Sequence, residues 1–260
     1  MGGAIFTGLV TAGASDDIRI TNRSAAKAEQ YPDYPNATSL SLENDPSANL
    51  VAVRGARIVL VGVKPPMVPD LLREIAADLE PDAVVVSVAA GVTIATMEAL
   101  VPGAVLRSMP NTPSLVGRGV TGLAAGTRSS DEDFAIVRSL FEFVGEVVDV
   151  PEDKIDALST ISGSGPAYVF FLMEQLIATA EKLGFSSDEA ATMVEGTFIG
   201  AAELLRQSDA GPSELRRRVT SPKGTTERAV AVLAKADLSA VFDRATAAAL
   251  ARNKELAAGS

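Results

Sequence analysis

The sequence predicts a doubly wound α/β domain followed by an all-helical domain, divided at residues 1–150 and 151–260. Up to about Pro151, short β-branched runs alternate with amphipathic segments, as in an open sheet with right-handed helical crossovers. Several of those runs are apolar almost without alternation, the pattern of strands buried on both faces of a parallel sheet. Beyond Pro151 the strands stop and Ala-rich segments with helical spacing take over.

The chain opens MGGAIFTGLVTAG, where Ala4, Ile5, Leu9 and Val10 read as a helix closed by Gly13. A short strand, IRIT (18–21), leaves into the polar turn Asn22-Arg23-Ser24, and YPDYPNATS reads as a polar loop. Strands are then expected at RIVLVGV (57–63), AVVVSVA (83–89), AVLRSM (104–109), VTGLAA (120–125) and GEVVDV (145–150). Amphipathic MVPDLLREIAADL and DEDFAIVRSLFEFV supply helices between them. In the second half, KIDALSTI, AYVFFLMEQLIATAEKLG, DEAATMVEGTFIGAAELLRQS, PSELRRRV, TTERAVAVLAKA and LSAVFDRATAAALARNKELA all read as helices. Residues 168–183 are apolar around most of the circumference, which fits either a contact between subunits or a central helix of the domain. Gly196 and Gly200 suit a close helix crossing in either case.

Composition narrows the chemistry. Net charge is −10, which argues against a protein built to neutralise nucleic-acid phosphates. No basic segment followed by an apolar run opens the chain, and the most apolar stretch is broken by Glu174 and Gln175. A cytoplasmic protein without a membrane partner is expected. Cysteine and histidine are both absent, excluding disulfides, thiolate catalysis, Ser-His-Asp triads and histidine-ligated metals. Reaction chemistry must rest on Ser, Thr, Tyr, Lys, carboxylates or a cofactor.

Four stretches carry that chemistry. The turn Asn22-Arg23-Ser24 stands where a dinucleotide's adenosine ribose is met, 20 residues past Gly2. It holds no carboxylate for a free 2′-hydroxyl, and its arginine matches a 2′-phosphate, so NADP(H) is favoured, with NAD(H) as second candidate. VGVKPP (61–66) and VAAG (88–91) end strands, which places Gly62, Val63, Lys64, Pro65, Val88, Ala89 and Ala90 at the crevice where such folds bind ligands. RSMPNTPSLVGRGV (107–120) forms a proline-stiffened loop at another strand end. In RVTSPKGTTERAV (218–230), Ser221 reads as an N-cap and Pro222 as the first helical residue, with Gly224, Thr225 and Thr226 following. A helix start with three hydroxyls nearby suits a small anion such as a substrate carboxylate.

VKPP, SVAAGVT, RSMPNTP, SGSGPAYVF (162–170) and TSPKGTT together resemble pyrroline-5-carboxylate reductase, in family order and over essentially the whole chain. The resemblance implies a Rossmann domain that binds NAD(P)H, then a helical domain through which two subunits interlock, with dimers assembling further into decamers. It implies hydride transfer to the C=N carbon of 1-pyrroline-5-carboxylate, giving L-proline, at a site partly supplied by the partner subunit. Carried over by residue, Gly2, Asn44, the 62–65 run and residues 88–90 are cofactor contacts, with Met109 and Asn111 near the nicotinamide. Ser221, Gly224, Thr225 and Thr226 hold the carboxylate, and Ser221 and Thr226 are the catalytic candidates, Thr226 facing the ring nitrogen. An imine that binds already protonated needs no general acid, consistent with the missing histidine.

The chain departs from the family pattern twice. Lys223 stands where the family commonly has glycine; a helical conformation is expected there because Pro222 sets a helical φ. The opening Met1-Gly2-x-Ala4 matches only the tail of the fingerprint G-x-G-N-M-G-x-A, so the expected sheet lacks its first strand and the two glycines that approach the pyrophosphate. Two other readings remain: a β-hydroxyacid-type dehydrogenase using Lys182, and a non-catalytic family member acting as an oligomeric binding protein.

Overall fold

A computed structural model describes residues 1–14, 17–31 and 36–257. They form two compact units, residues 1–166 with 249–260, and residues 167–248.

The first unit begins with α1 (Gly2–Thr11), ended by Gly13 at φ 78°, a left-handed turn that glycine adopts without strain. Strand β1 (Ile18–Asn22) pairs in parallel with β2 (Ala37–Ser41). The sequence reading made residues 37–39 part of a polar loop, and the structure corrects it. ATSLS carries few apolar residues, yet half-burial against β1 and α2 (Ala25–Ala28) makes it a strand. Residues 32–35 of the same expected loop lie outside the described residues.

A second sheet has the order β3-β4-β5-β6-β7: Ile58–Val61, Val84–Ser87, Ala104–Met109, Gly119–Ala125 and Gly145–Asp149. β3, β4 and β5 are parallel, and so are β6 and β7, whereas β5 and β6 run antiparallel. The expectation of crossovers throughout fails at that one step. The proline-stiffened segment between Met109 and Gly119 holds only a 3₁₀ turn, too short to carry the chain back for a parallel pairing. Every residue of β4 is buried, which explains its unbroken VVVS.

Helices α3 (Ala48–Val53), α4 (Val68–Ile75) and α5 (Ile94–Glu98) cover one face of the sheet, where Val53, Leu72, Ile75 and Met97 pack on Val59, Val61 and Val85. α1 and α6 (Asp131–Glu142) cover the other, where Ile5, Leu9, Val137 and Phe141 pack on Val84, Val86 and Leu106. α6 starts with a reciprocal capping box between Ser130 and Asp133.

Two carboxylates make this unit sensitive to acid. Burial pushes Asp133 upward, but the Arg57 guanidinium and the Ser130 N–H and hydroxyl outweigh it and hold its pKa below the ordinary value. Burial likewise raises Glu98, while the hydroxyl and N–H of Thr127 and the N–H of Arg128 bring it below the ordinary value. A carboxylate with a lowered folded-state pKa stabilises above its unfolded value, about 4, and loses that contribution as pH falls through the folded value. The urea midpoint is therefore expected to hold from neutral pH down to about 5 and to fall below about 4. Asp133→Asn should lower the midpoint at neutral pH and make its acid decline shallower.

After α7 (Glu152–Leu158) and a π-turn over Ser159–Gly163, the chain enters α8 (Gly165–Lys182). α9 (Ser187–Arg206), α10 (Pro212–Arg218), α11 (Thr225–Lys235) and α12 (Leu238–Ala257) follow. Among the described residues no helix is long and apolar enough to cross a membrane. α8 is not a buried central helix within one chain: Phe170 is 60% and Phe171 59% exposed, and of α8 only Ala180 is buried. Gly196 and Gly200 face open space, so among the described residues no helix crosses closely there.

Candidate functional site

Beyond the carboxyl ends of β1, β3, β4 and β5 the first unit gathers polar and small residues. Gly62 follows β3, and a Cβ there would lie 3.4 Å from the Gly2 Cα, so the start of α1 meets the strand end backbone to backbone. A Val88 methyl lies 4.0 Å from the same point. The structure thus brings Gly2, Gly62 and Val88 together. Asn22, Arg23 and Val63 line the same cavity as Gly2 and Gly62. Lys64 precedes the 3₁₀ turn Pro65–Met67 and is exposed.

The β1 turn is organised as a helix start. Ser24 caps α2, its hydroxyl accepting from the Lys27 N–H at 3.3 Å, and Arg23 stands exposed beside it. A carboxylate missed in sequence completes the turn: Glu43 Oε2 accepts from the Ala25 N–H at 2.8 Å. It follows β2, the strand the sequence did not disclose, so nothing placed it near residues 22–25. Asn44 is exposed beside it, its N–H donating to Ser41 Oγ. Asn22 Nδ2 is buried with no partner among the described residues.

Ala89 is buried and donates its N–H to Ser87 Oγ, with Ala90 half-buried after it. Met109 and Asn111 are buried as well. Both ends of the Asn111 amide are engaged: Nδ2 donates to Ser162 O at 2.9 Å, and Oδ1 accepts from the Val120 N–H at 2.8 Å. Its side chain therefore holds the β5–β6 loop to the turn before α8. Beneath that loop lies a network that sequence reasoning did not find. Arg107, 3% exposed, meets Asp156 at 2.5 Å and Glu152 at 3.5 Å. Glu152 also accepts from the N–H of Ile94 at the start of α5.

The second unit holds the hydroxyl-rich loop. The structure corrects two expectations there. Ser221 is not the N-cap of α11; that place belongs to Gly224. Residues 221–224 form a turn, Gly224 N–H donating to Ser221 O, with Pro222 in its second position and Lys223 in its third at φ 62°. Lys223 therefore adopts the left-handed conformation that glycine favours, at a cost of about 1–2 kcal/mol. Its N–H is held by Glu227 Oε2 at 2.8 Å. Pro222 opens the turn rather than the helix, which is why a helical φ at Pro222 does not carry into Lys223. Ser221, Thr225 and Thr226 are exposed, Gly224 is half-buried, and no side chain caps α11. Exposed hydroxyls and a helix start without a side-chain cap leave donors for an anion.

Comparison with known proteins agrees with these features. Residues 152–256 match the family model described as pyrroline-5-carboxylate reductase dimerisation, and residues 1–91 match NADP oxidoreductase coenzyme F420-dependent. A pyrroline-5-carboxylate reductase of Corynebacterium melassecola is 36% identical, the match covering 98% of this chain and 95% of that protein. Among solved structures, the pyrroline-5-carboxylate reductase of Coxiella burnetii superimposes with a TM-score of 0.89 at 35% identity, covering 98% of this chain and 94% of that one. The NADP-bound pyrroline carboxylate reductase of Plasmodium falciparum gives 0.81 at 26% identity, covering 99% and 94%. With more than a third of its residues shared over nearly its full length, the chain belongs to the pyrroline-5-carboxylate reductase family.

Proposed function

We propose that this protein reduces 1-pyrroline-5-carboxylate to L-proline with NADP(H), the last step of proline biosynthesis. The observation that carries the reading is full-length similarity to pyrroline-5-carboxylate reductases, together with a hydroxyl-rich loop at a helix start and no histidine. When bound, NADPH supplies the hydride that adds to the C=N carbon.

The residues present suit that cofactor's adenosine end. Asn22 Nδ2 is buried and unpartnered among the described residues, Arg23 is an exposed cation beside a capped helix start, and glycine at 2 and 62 lets the start of α1 meet the end of β3 backbone to backbone. Arg23 and Ser24 receive the 2′-phosphate in this reading, with Gly2, Asn22, Asn44, residues 62–65 and residues 88–90 along the cofactor and Met109 near the nicotinamide. Asn111 acts there by positioning, since both ends of its amide are already bonded within the protein. In the loop of the second unit, Ser221, Gly224, Thr225 and Thr226 hold the substrate carboxylate by hydroxyls and N–H groups. Thr226 Oγ1 accepts from the protonated ring nitrogen, and hydride addition then gives the neutral secondary amine without a further proton donor.

Residues 1–150 serve as the cofactor domain and 151–260 as the dimerisation and substrate domain. The exposed Phe170 and Phe171 of α8 support a homodimer through that helix, with decamers as the higher assembly. A cytoplasmic setting suits a biosynthetic reduction.

The direct test follows NADPH oxidation at 340 nm (approximately) with the cyclic imine as substrate, beside titration of NADPH alone. NADPH oxidation with the imine is expected, and no NADP+ reduction when β-hydroxyacids are offered with NADP+. Tight NADPH binding without turnover, or no binding, would replace this reading with the non-catalytic one. Glu43 sets a second expectation. Its carboxylate on the Ala25 N–H opposes a 2′-phosphate at the same helix start, so Glu43→Gln should tighten NADPH binding about three- to tenfold and leave NADH nearly unchanged. Equal shifts for both cofactors in a fluorescence titration would remove Glu43 from the 2′-phosphate's surroundings.

A further inference from the structure

The run SGSGP (162–166) interrupts the helical ladder, because the donor due to Ser162 O would come from Pro166, which has no N–H. The backbone widens instead. Ser164 N–H donates to Ser159 O at 2.9 Å, the five-residue step of the π-turn over Ser159–Gly163. Hydroxyls of the turn bond back to carbonyls in the last turn of α7: Ser159 Oγ to Asp156 O at 2.7 Å, Thr160 Oγ1 to Ala157 O at 2.8 Å and Ser162 Oγ to Leu158 O at 3.2 Å. Ser162 O takes its donor from Asn111 Nδ2 at 2.9 Å. A turn without a regular ladder owes its position to such side-chain bonds.

A second remote side chain reaches the same turn. Asn253, near the end of α12 and within the first unit, donates from Nδ2 to Ser159 Oγ at 2.8 Å and lies 3.5 Å from Asp156 O. Asparagine is a weak helix former, and it stands here in an Ala-rich helix where better formers surround it. The Asp156 carboxylate meanwhile ties α7 to the buried Arg107 of β5. The bonds then run on without slack. Asn111 Oδ1 accepts from the Val120 N–H at 2.8 Å, so a displaced turn pulls on the loop that follows Met109.

We propose that Asn253 is a positioning residue for hydride transfer: through Ser159 it fixes the π-turn whose Ser162 carbonyl holds Asn111, and so sets the Met109–Asn111 strand end at the nicotinamide. The catalytic half of this statement rests on the function proposed above. The link from Asn253 to Asn111 rests on the first unit alone.

The test uses the full chain with Asn253→Leu, which keeps side-chain volume and favours the helix while removing both polar atoms. Its kcat for the cyclic imine should fall about three- to tenfold, with the imine KM and NADPH Kd within about twofold. Ser159→Ala should give the same split and serves as the second variant if Asn253→Leu folds poorly, as judged by its thermal midpoint. In the Asn111→Asp background, which keeps the acceptor for Val120 and removes the donor to Ser162, Asn253→Leu should cost no further kcat. Amide hydrogen exchange at Val120, read without cofactor, should quicken at least about threefold in Asn253→Leu. An unchanged kcat, an equal loss in the Asn111→Asp background, or unchanged exchange at Val120 would each overturn the proposal. If the unsubstituted chain reduces no imine, the proposed function fails, and Val120 exchange still decides whether Asn253 reaches Asn111.

Discussion

Thr226→Ala should lower kcat/KM for the cyclic imine about ten- to a hundredfold, with KM raised and kcat reduced, while NADPH affinity stays within about twofold. The expected size follows from one hydrogen bond to a charged group, worth about 1.5–3 kcal/mol. Thr226 belongs to the first turn of α11 and is exposed, so the fold should survive the change. Thr226→Ser keeps the hydroxyl and should recover most of the activity. A large loss of NADPH affinity in Thr226→Ala would move this residue from the substrate to the cofactor. An unchanged kcat/KM would take it out of the site.

Asp156→Ala should destabilise the first unit by about 3 kcal/mol, because it strands the buried Arg107 guanidinium. Arg107 is 3% exposed and its Nε already lacks a partner among the described residues. Without Asp156 its remaining ion pair among the described residues is with Glu152 at 3.5 Å. The midpoint of thermal unfolding should fall by roughly 6–12 °C. Asp156 is itself 30% exposed, so the cost lies in the arginine left behind rather than in the carboxylate removed. Arg107→Met combined with Asp156→Ala should therefore recover much of the loss. A double variant no more stable than Asp156→Ala alone would show that the network contributes by packing instead of charge.

The two patterns of the chain were legible because each follows from local spacing. Period and burial made IVLV and VVVS strands, and the Ala-rich segments after Pro151 became helices. β2 was not legible, since ATSLS becomes a strand only through pairing with β1. The reversal at β6 was equally hidden, because direction depends on whether a connection can cross the sheet. Lys223 shows the same limit at one residue. Pro222 fixes its own φ, but the turn closed by Gly224 and Glu227 decides the φ of Lys223.

The candidate site divides along that line. Residue types and order alone pointed to the strand-end crevice, the Asn22–Ser24 turn and the hydroxyl loop, because strand ends and helix starts expose backbone donors wherever they occur. Which groups meet was decided only in three dimensions. Glu43 reaches the Ala25 N–H, Asn111 is tied at both ends, and Arg107 is neutralised by carboxylates 45 and 49 residues away along the chain. The sequence by itself determined the family and the grammar of strands and helices, since both reside in nearest-neighbour patterns. Tertiary structure alone decided the pairing of charges and edges, because distance in space, not along the chain, sets those energies.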